Sequence, residues 1–285
     1  MSDGVLHEEL QNEAARRADR LLLGRLRRGE LTTAMIVRGA RTSDIVRVAH
    51  SSGHHCIMID LEHSAMPLAL AIELAAAAFE LGMTPVVRVP EREYGMIGRL
   101  LDGGALGIIA PRIETADEAR TVARACRFPP RGQRSQIAMV PQFGLRPIPA
   151  RYLNPALDEL AIVQILLETP TGIANVDAIA AVDGVDMIVI GANDLCAELG
   201  VPGAFRDDRV RNAISAASEA CKAHGKILSV GGIGDLAYIA QLLPLGVAPL
   251  IYTGSDTELL MSAAEAKQSH VAQWFRDVRG SAVVK

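Results

Sequence analysis

The sequence predicts an α/β fold, a (β/α)8 TIM barrel carrying an N-terminal helical extension. Three observations lead there. From residue 32 onward, eight short apolar runs alternate with helix-like segments. The runs are continuous rather than alternating, as strands covered on both faces are. Several end abruptly in charged residues, most clearly at Asp60-Leu61-Glu62-His63, as strands do when they deliver polar groups to one rim of a barrel. The 285 residues suffice for one such barrel. A doubly wound open sheet is the runner-up. The expected division is an N-terminal helical extension over 1–30 and a single barrel domain over 31–285.

The elements follow in order. Residues 5–28 read as a charged helix whose apolar members are Leu6, Leu10, Leu21, Leu22 and Leu23. The first strand is 33–37, and Thr42-Ser43-Asp44 starts the next helix. The second strand is 56–60. Pro67 opens an Ala-rich helix that Gly82 ends. The third strand is 84–89, with a helix over 94–102; the fourth is 106–110, with a well-capped helix over 115–126. Residues 128–155 break the rhythm with six prolines, and a segment of that kind between strands four and five is expected to form a lid. Strands five to eight are 161–167, 186–190, 226–230 and 248–252. Helices are expected near 172–181, 208–224, 234–243 and 255–276.

Composition excludes several classes. A net charge of -4 gives no reason to expect nucleic acid. No run of 18 apolar residues exists, so no membrane partner is expected. Cys56, Cys126, Cys196 and Cys221 are widely spaced and form no CxxC pair, which reads as reduced thiols in a cytoplasmic protein.

Active sites of parallel barrels form at the C-terminal ends of the strands. That rule selects Asp60, Glu62 and His63 after the second strand and Arg88 at the end of the third. It adds Arg112 and Glu114 after the fourth, Glu168 after the fifth, and Asn193 and Asp194 after the sixth. Glu168 and Asp194 sit on neighbouring strand ends. Two carboxylates with open water positions suit Mg²⁺ or Mn²⁺; the competing reading makes each a helix cap. Of seven histidines, only His63 sits at a strand exit beside two acids. Imidazole is a ready general base near neutral pH, and Asp60 is placed to orient it. Arg88, flanked by valines, needs an anionic partner: a protein carboxylate or a substrate carboxylate. Backbone N–H groups at Gly191-Ala192-Asn193 can also receive a carboxylate. Arg131, Arg134 and Arg146 in the irregular segment point to an acidic acceptor or are solvated surface charge.

The lysines decide between mechanisms. Only Lys222, Lys226, Lys267 and Lys285 occur. Lys226 begins a strand, Lys222 and Lys267 lie on helices, and Lys285 is terminal. None is placed for a Schiff base at the mouth. A carbon–carbon lyase built on this chain therefore needs a metal ion to stabilise an enolate.

At these residues the chain resembles the HpcH/HpaI aldolase family of metal-dependent pyruvate aldolases, from about residue 32 to 266. The motifs, in order, are Asp60-Leu61-Glu62-His63, Val87-Arg88-Val89, Leu101-Asp102-Gly103-Gly104-Ala105, Thr115 to Arg120, Pro129 to Arg134, Glu168-Thr169, Gly191-Ala192-Asn193-Asp194-Leu195 and Gly254-Ser255-Asp256-Thr257. The resemblance implies reversible cleavage of 4-hydroxy-2-oxo acids to pyruvate, or a pyruvate-like 2-oxo acid, and an aldehyde. The route is a metal-stabilised enolate, with oxaloacetate decarboxylation as a side activity. It implies Glu168 and Asp194 as ligands of Mg²⁺, Mn²⁺ or Co²⁺. It implies that Arg88, with Gly191, Ala192 and Asn193, binds the 2-oxo acid, and that His63 with Asp60 acts as acid and base. It also implies a homo-oligomer, a hexamer or trimer of dimers, in which the last helix packs on a neighbour. Two alternatives stand on the same scaffold: an acyl-CoA lyase of the citrate lyase β-subunit type, and a decarboxylating enzyme like macrophomate synthase. The chain departs from the family in having Leu166 where Gln is common, with Gln164 four residues before Glu168. It departs also in the unmatched stretch 135–152 and in the longer N-terminal extension.

Overall fold

The computed structural model of the chain describes residues 3–282. Two helices come first, α1 (Asp3–Arg20) and α2 (Leu22–Arg27), parted at Leu21. Then follow β1 (Thr32–Val37), α3 (Asp44–Ser51), β2 (Cys56–Asp60), α4 (Leu68–Glu80), β3 (Thr84–Arg88), α5 (Ile97–Asp102), β4 (Gly107–Ala110) and α6 (Ala116–Cys126). The second half holds α7 (Ala150–Leu160), β5 (Ile162–Leu167), α8 (Pro170–Ala174), α9 (Val176–Ala180), β6 (Met187–Gly191) and α10 (Ala192–Glu198). It ends with α11 (Asp208–His224), β7 (Ile227–Gly231), α12 (Leu236–Leu242), β8 (Leu250–Ser255) and α13 (Asp256–Ala282). The expected helix over 172–181 is two short ones, because the chain turns at Asn175.

The eight strands form one parallel sheet in the order β7-β6-β5-β4-β3-β2-β1-β8. Between β7 and β8 there is an isolated bridge, Leu228 to Val247, so the barrel is nearly closed. Strand alternation divides the core. Met58, Val86, Ile109, Leu166 and Val189 fill the barrel interior. Their chain neighbours Ile57, Ile59, Val87, Ile108 and Ile165 face outward under the helices. Helix signals act as the sequence suggests: Thr115 and Glu118 form a reciprocal capping box on α6, and Gly225 (φ 65°) ends α11. Among the described residues no helix is long and apolar enough to cross a membrane.

The extension is part of this core. Leu22, Leu23 and Leu26 of α2 pack into the interior cluster with Ala34, Cys56, Val86 and Leu250. The N–H of Leu22 donates to Thr84 Oγ1 at 3.1 Å, at the start of β3. Each buried leucine contributes roughly 1.5–3 kcal/mol of apolar burial, so α2 stops the N-terminal end of the barrel.

The expected lid over 128–155 is not at the mouth. The segment follows α6, not β4, so it emerges at the N-terminal end of the strands. There Gln142 Nε2 donates to Leu101 O at 2.6 Å, and Arg134 pairs with Asp102 at 2.8 Å. Phe128, Val140, Phe143 and Ile148 pack with α7 and with Leu10 and Ala14 of α1. Its arginines are occupied: Arg134 is 1% exposed against Asp102, Arg146 pairs with Glu13, and Arg131 lies 3.8 Å from Asp183. They do not face an acceptor at the barrel mouth.

Candidate active site

The ends of β1, β2 and β3 build the cationic side of the mouth. Asp60 is fully buried. Its Oδ1 accepts from Arg88 Nε at 3.0 Å, and its Oδ2 accepts from Arg88 Nη2 at 2.7 Å and from Arg38 Nε at 2.6 Å. The backbone N–H groups of Glu62 and His63 also donate to Oδ1. Burial alone would raise the Asp60 pKa; the two guanidinium groups hold it down to about 2. Register pairing of Asp60 with Arg88 across β2 and β3 makes this fork–fork contact local. Glu62 Oε2 lies 3.1 Å from Arg88 Nη1, an ion pair out of line for a hydrogen bond, and burial pushes the Glu62 pKa up despite it.

The ends of β5 and β6 build the acidic side. Glu168 is 4% exposed, and its Oε2 accepts the N–H of Arg112 at 3.1 Å. Arg112 has φ 51°, a strained conformation for a non-glycine residue, at the end of β4. Gly191 makes room for Glu168: a Cβ there would stand 2.5 Å from Glu168 Cγ. Burial, then the charges of Asp194 and Glu62, push Glu168 up to about 7. Glu168, Asp194, Gly191, Ala192 and Asn193 line one cavity of about 440 Å³, with Arg38 and Arg88 opposite.

The raised Glu168 pKa has a consequence for stability. The folded chain holds that proton up to about pH 7, whereas an unfolded glutamate releases it near pH 4.3. Between those values the folded state binds more protons, so metal-free protein loses stability as pH rises. The full cost, about 3 kcal/mol, is reached above pH 7. The melting temperature of metal-free protein is therefore expected to fall from pH 5 to pH 8, and added Mg²⁺ or Mn²⁺ to recover it at pH 8. A flat profile would contradict the electrostatics described.

A divalent ion suits this donor set. Among the described residues no cluster of three or more His, Cys, Asp or Glu side chains is arranged as a metal cage. Two carboxylates on adjacent strand ends are enough for a hard cation that keeps waters for a substrate to displace. The acids crowded around Glu168, which push its pKa up, are also what a cation would relieve.

The family model of the HpcH/HpaI aldolase/citrate lyase family matches residues 33–260. The chain belongs to this family. It is 38% identical over 217 residues to the 4-hydroxy-4-methyl-2-oxoglutarate aldolase of Hapsidospora irregularis, covering 75% of this chain and 80% of that one. It is 39% identical over 207 residues to the enzyme of the same name from Chaetomium globosum, covering 72% and 77%. The fold matches an HpcH/HpaI aldolase from Desulfitobacterium hafniense with a TM-score of 0.80 at 23% identity, over 87% of this chain and 96% of that one. Membership makes this HpcH/HpaI protein a carbon–carbon lyase, and divalent metal dependence is general in the family.

The residues expected from sequence divide as follows. Arg88, Glu168, Asp194, Gly191, Ala192 and Asn193 come together around the cavity. His63 is exposed on the adjoining rim and is not among the cavity-lining residues. Asp60 does not orient its imidazole; the contact is to the His63 backbone N–H at 3.3 Å, and the carboxylate is spent on Arg88 and Arg38. In this state the anionic partner of Arg88 is a protein carboxylate. The side chains that follow β4 stand apart from the cavity: Arg112 Nη2 donates to Glu198 at 2.8 Å, and Glu114 accepts from Thr169 Oγ1 at 2.7 Å. Sequence reasoning missed Arg38, although its apolar run ends in arginine just as the run before Arg88 does. It also missed Tyr252, which lines the cavity from β8 and whose burial raises its pKa.

Proposed function

We propose that this chain is a metal-dependent pyruvate aldolase that reversibly cleaves 4-hydroxy-2-oxo acids to pyruvate and a second carbonyl compound. The observation that carries this reading is the paired acids Glu168 and Asp194 facing the buried Arg88 across one cavity at the barrel mouth. The names of the two fungal relatives, aldolases of a 4-hydroxy-2-oxo acid, support it.

Glu168 and Asp194 would hold Mg²⁺, Mn²⁺ or Co²⁺. The ion supplies Lewis-acid polarisation of the 2-oxo group when bound. Arg88, pre-aligned by Asp60, donates to the substrate's 2-oxo acid end, where negative charge develops. Backbone groups at Gly191, Ala192 and Asn193 receive the C1 carboxylate. His63 accepts the proton of the 4-hydroxyl. The C3–C4 bond then breaks, its electron pair passes to C3 and the 2-oxo group, and C4 leaves as a carbonyl. The proton held by His63 returns to C3 to give pyruvate. Decarboxylation of oxaloacetate yields the same enolate and is an expected side activity.

The assembly is a homo-oligomer, a hexamer or trimer of dimers. Support comes from α13, whose Leu260, Met261, Val271, Trp274, Phe275 and Val278 are exposed on the single chain. The location is cytoplasmic, in keeping with four free, buried cysteines.

The test needs no guess about the acceptor. Metal-stripped protein is incubated with pyruvate in D₂O and the methyl proton signal is followed by NMR. Added Mg²⁺ or Mn²⁺ is expected to start exchange, and His63→Ala to slow it by about 100-fold or more. Absence of exchange with Mg²⁺, Mn²⁺ and Co²⁺ alike would overturn the proposal.

A further inference from the structure

Arg38 is an arginine with most of its donors unspent. Its Nε is used on Asp60 Oδ2 at 2.6 Å, and its backbone N–H donates to Asp256 Oδ1 at 3.1 Å. Asp256, the first residue of α13, also accepts from the N–H groups of Gly39 and Ala40. Both ends of the residue are therefore fixed. Among the described residues Nη1 and Nη2 have no partner, although a guanidinium offers five N–H donors. The side chain is 33% exposed, and it lines the cavity.

Arg38 and Arg88 bond the same oxygen of Asp60, so the two guanidinium groups stand side by side on one rim. Among the described residues they are the only cationic side chains lining the cavity, which also carries Glu168, Asp194 and Glu258. An anion entering beyond the reach of Arg88 meets either Arg38 or acids. We propose that Arg38 is a specificity residue that binds a second carboxylate, attached to C4 of the substrate, the carbon that bears the hydroxyl. The carbonyl product is then itself a 2-oxo acid rather than a simple aldehyde. This rests on the pyruvate aldolase reading above.

The geometry supports the assignment. With the 2-oxo acid end of the substrate on Arg88, C4 is two carbons from the oxo group, and a carboxylate there is presented to the neighbouring guanidinium. The unspent Nη1 and Nη2 form one edge of the fork that carboxylates accept bidentately. A methyl group in the same position would leave both donors unmatched next to a solute that displaces their water.

The probes are 4-hydroxy-2-oxoglutarate, with carboxylate on C4, and 4-hydroxy-2-oxopentanoate, with methyl in its place. Cleavage gives pyruvate in both cases, with glyoxylate or acetaldehyde respectively, so one coupled assay reads both. Wild-type protein with Mg²⁺ or Mn²⁺ is expected to favour the carboxylated substrate by about 100-fold in kcat/KM. Arg38→Met is expected to reduce that ratio about tenfold or more, and Arg38→Lys to keep an intermediate ratio. The ratio is measured on one preparation, so it is independent of the fraction that folds. A wild-type ratio near one, or an Arg38→Met variant that loses both activities in equal proportion, would overturn the assignment and leave Arg38 as a support for Asp60. Pyruvate exchange in D₂O separates the two levels. Exchange without the preference sinks only the role of Arg38; no exchange and no cleavage sinks the aldolase reading with it.

Discussion

Arg88→Ala is expected to abolish turnover and to cost stability at once. In the proposed mechanism the guanidinium donates to the substrate's developing charge, and losing one such donor costs about 10²–10³ in kcat. It is also half of a buried pair: Arg88 and Asp60 side chains are 10% and 0% exposed. Removing one partner of such a pair typically costs about 3–5 kcal/mol. The cost here falls toward the low end, because Asp60 keeps Arg38 and two backbone N–H groups. Urea unfolding and pyruvate exchange read the two effects separately. A variant with wild-type exchange would remove Arg88 from the mechanism, and one with wild-type stability would contradict the pairing.

Glu168→Gln should separate activity from stability in the opposite way. The amide keeps the shape, and its oxygen still accepts the Arg112 N–H, but one of the two carboxylates proposed to hold the ion is gone. Metal affinity is expected to fall by about 100-fold or more, and cleavage with it. Metal-free protein, by contrast, gains. A neutral side chain no longer repels Asp194 and Glu62, so stability at pH 8 is expected to rise by up to about 3 kcal/mol and the pH slope of the melting temperature to flatten. Loss of activity with unchanged stability at pH 8 would show that the acids are not crowded as described.

Much of this was legible in the amino-acid sequence. Parallel strands covered on both faces read as unbroken apolar runs, and the residues that end those runs are the rim. Arg88, Glu168 and Asp194 emerge that way. Partnerships were less legible. Spacing suggests Asp60 for His63, three residues on, but side chains alternate along a strand. Asp60 therefore faces inward with Arg88, its register partner on β3, while His63 lies beyond the strand. Arg38 depends on a contact 22 residues away in sequence. The 128–155 segment misled because proline-rich irregularity marks a loop without telling which end of the barrel it occupies. Its position after α6 decides that, and residues 150–160, which overlap it, are helical despite Pro155.

With α2 driven into the N-terminal end, the barrel is a cul-de-sac. Its axis is filled by Met58, Leu166 and Val189 and then stopped by Leu22, Leu23 and Leu26. Solutes that reach the acids by the strand ends have no way through to the other side. Reactant and both products must share the same doorway, so whatever lies nearer the rim departs first. The order of release thus follows from depth in a closed-ended well, a property of the shape of the molecule rather than of any moving part.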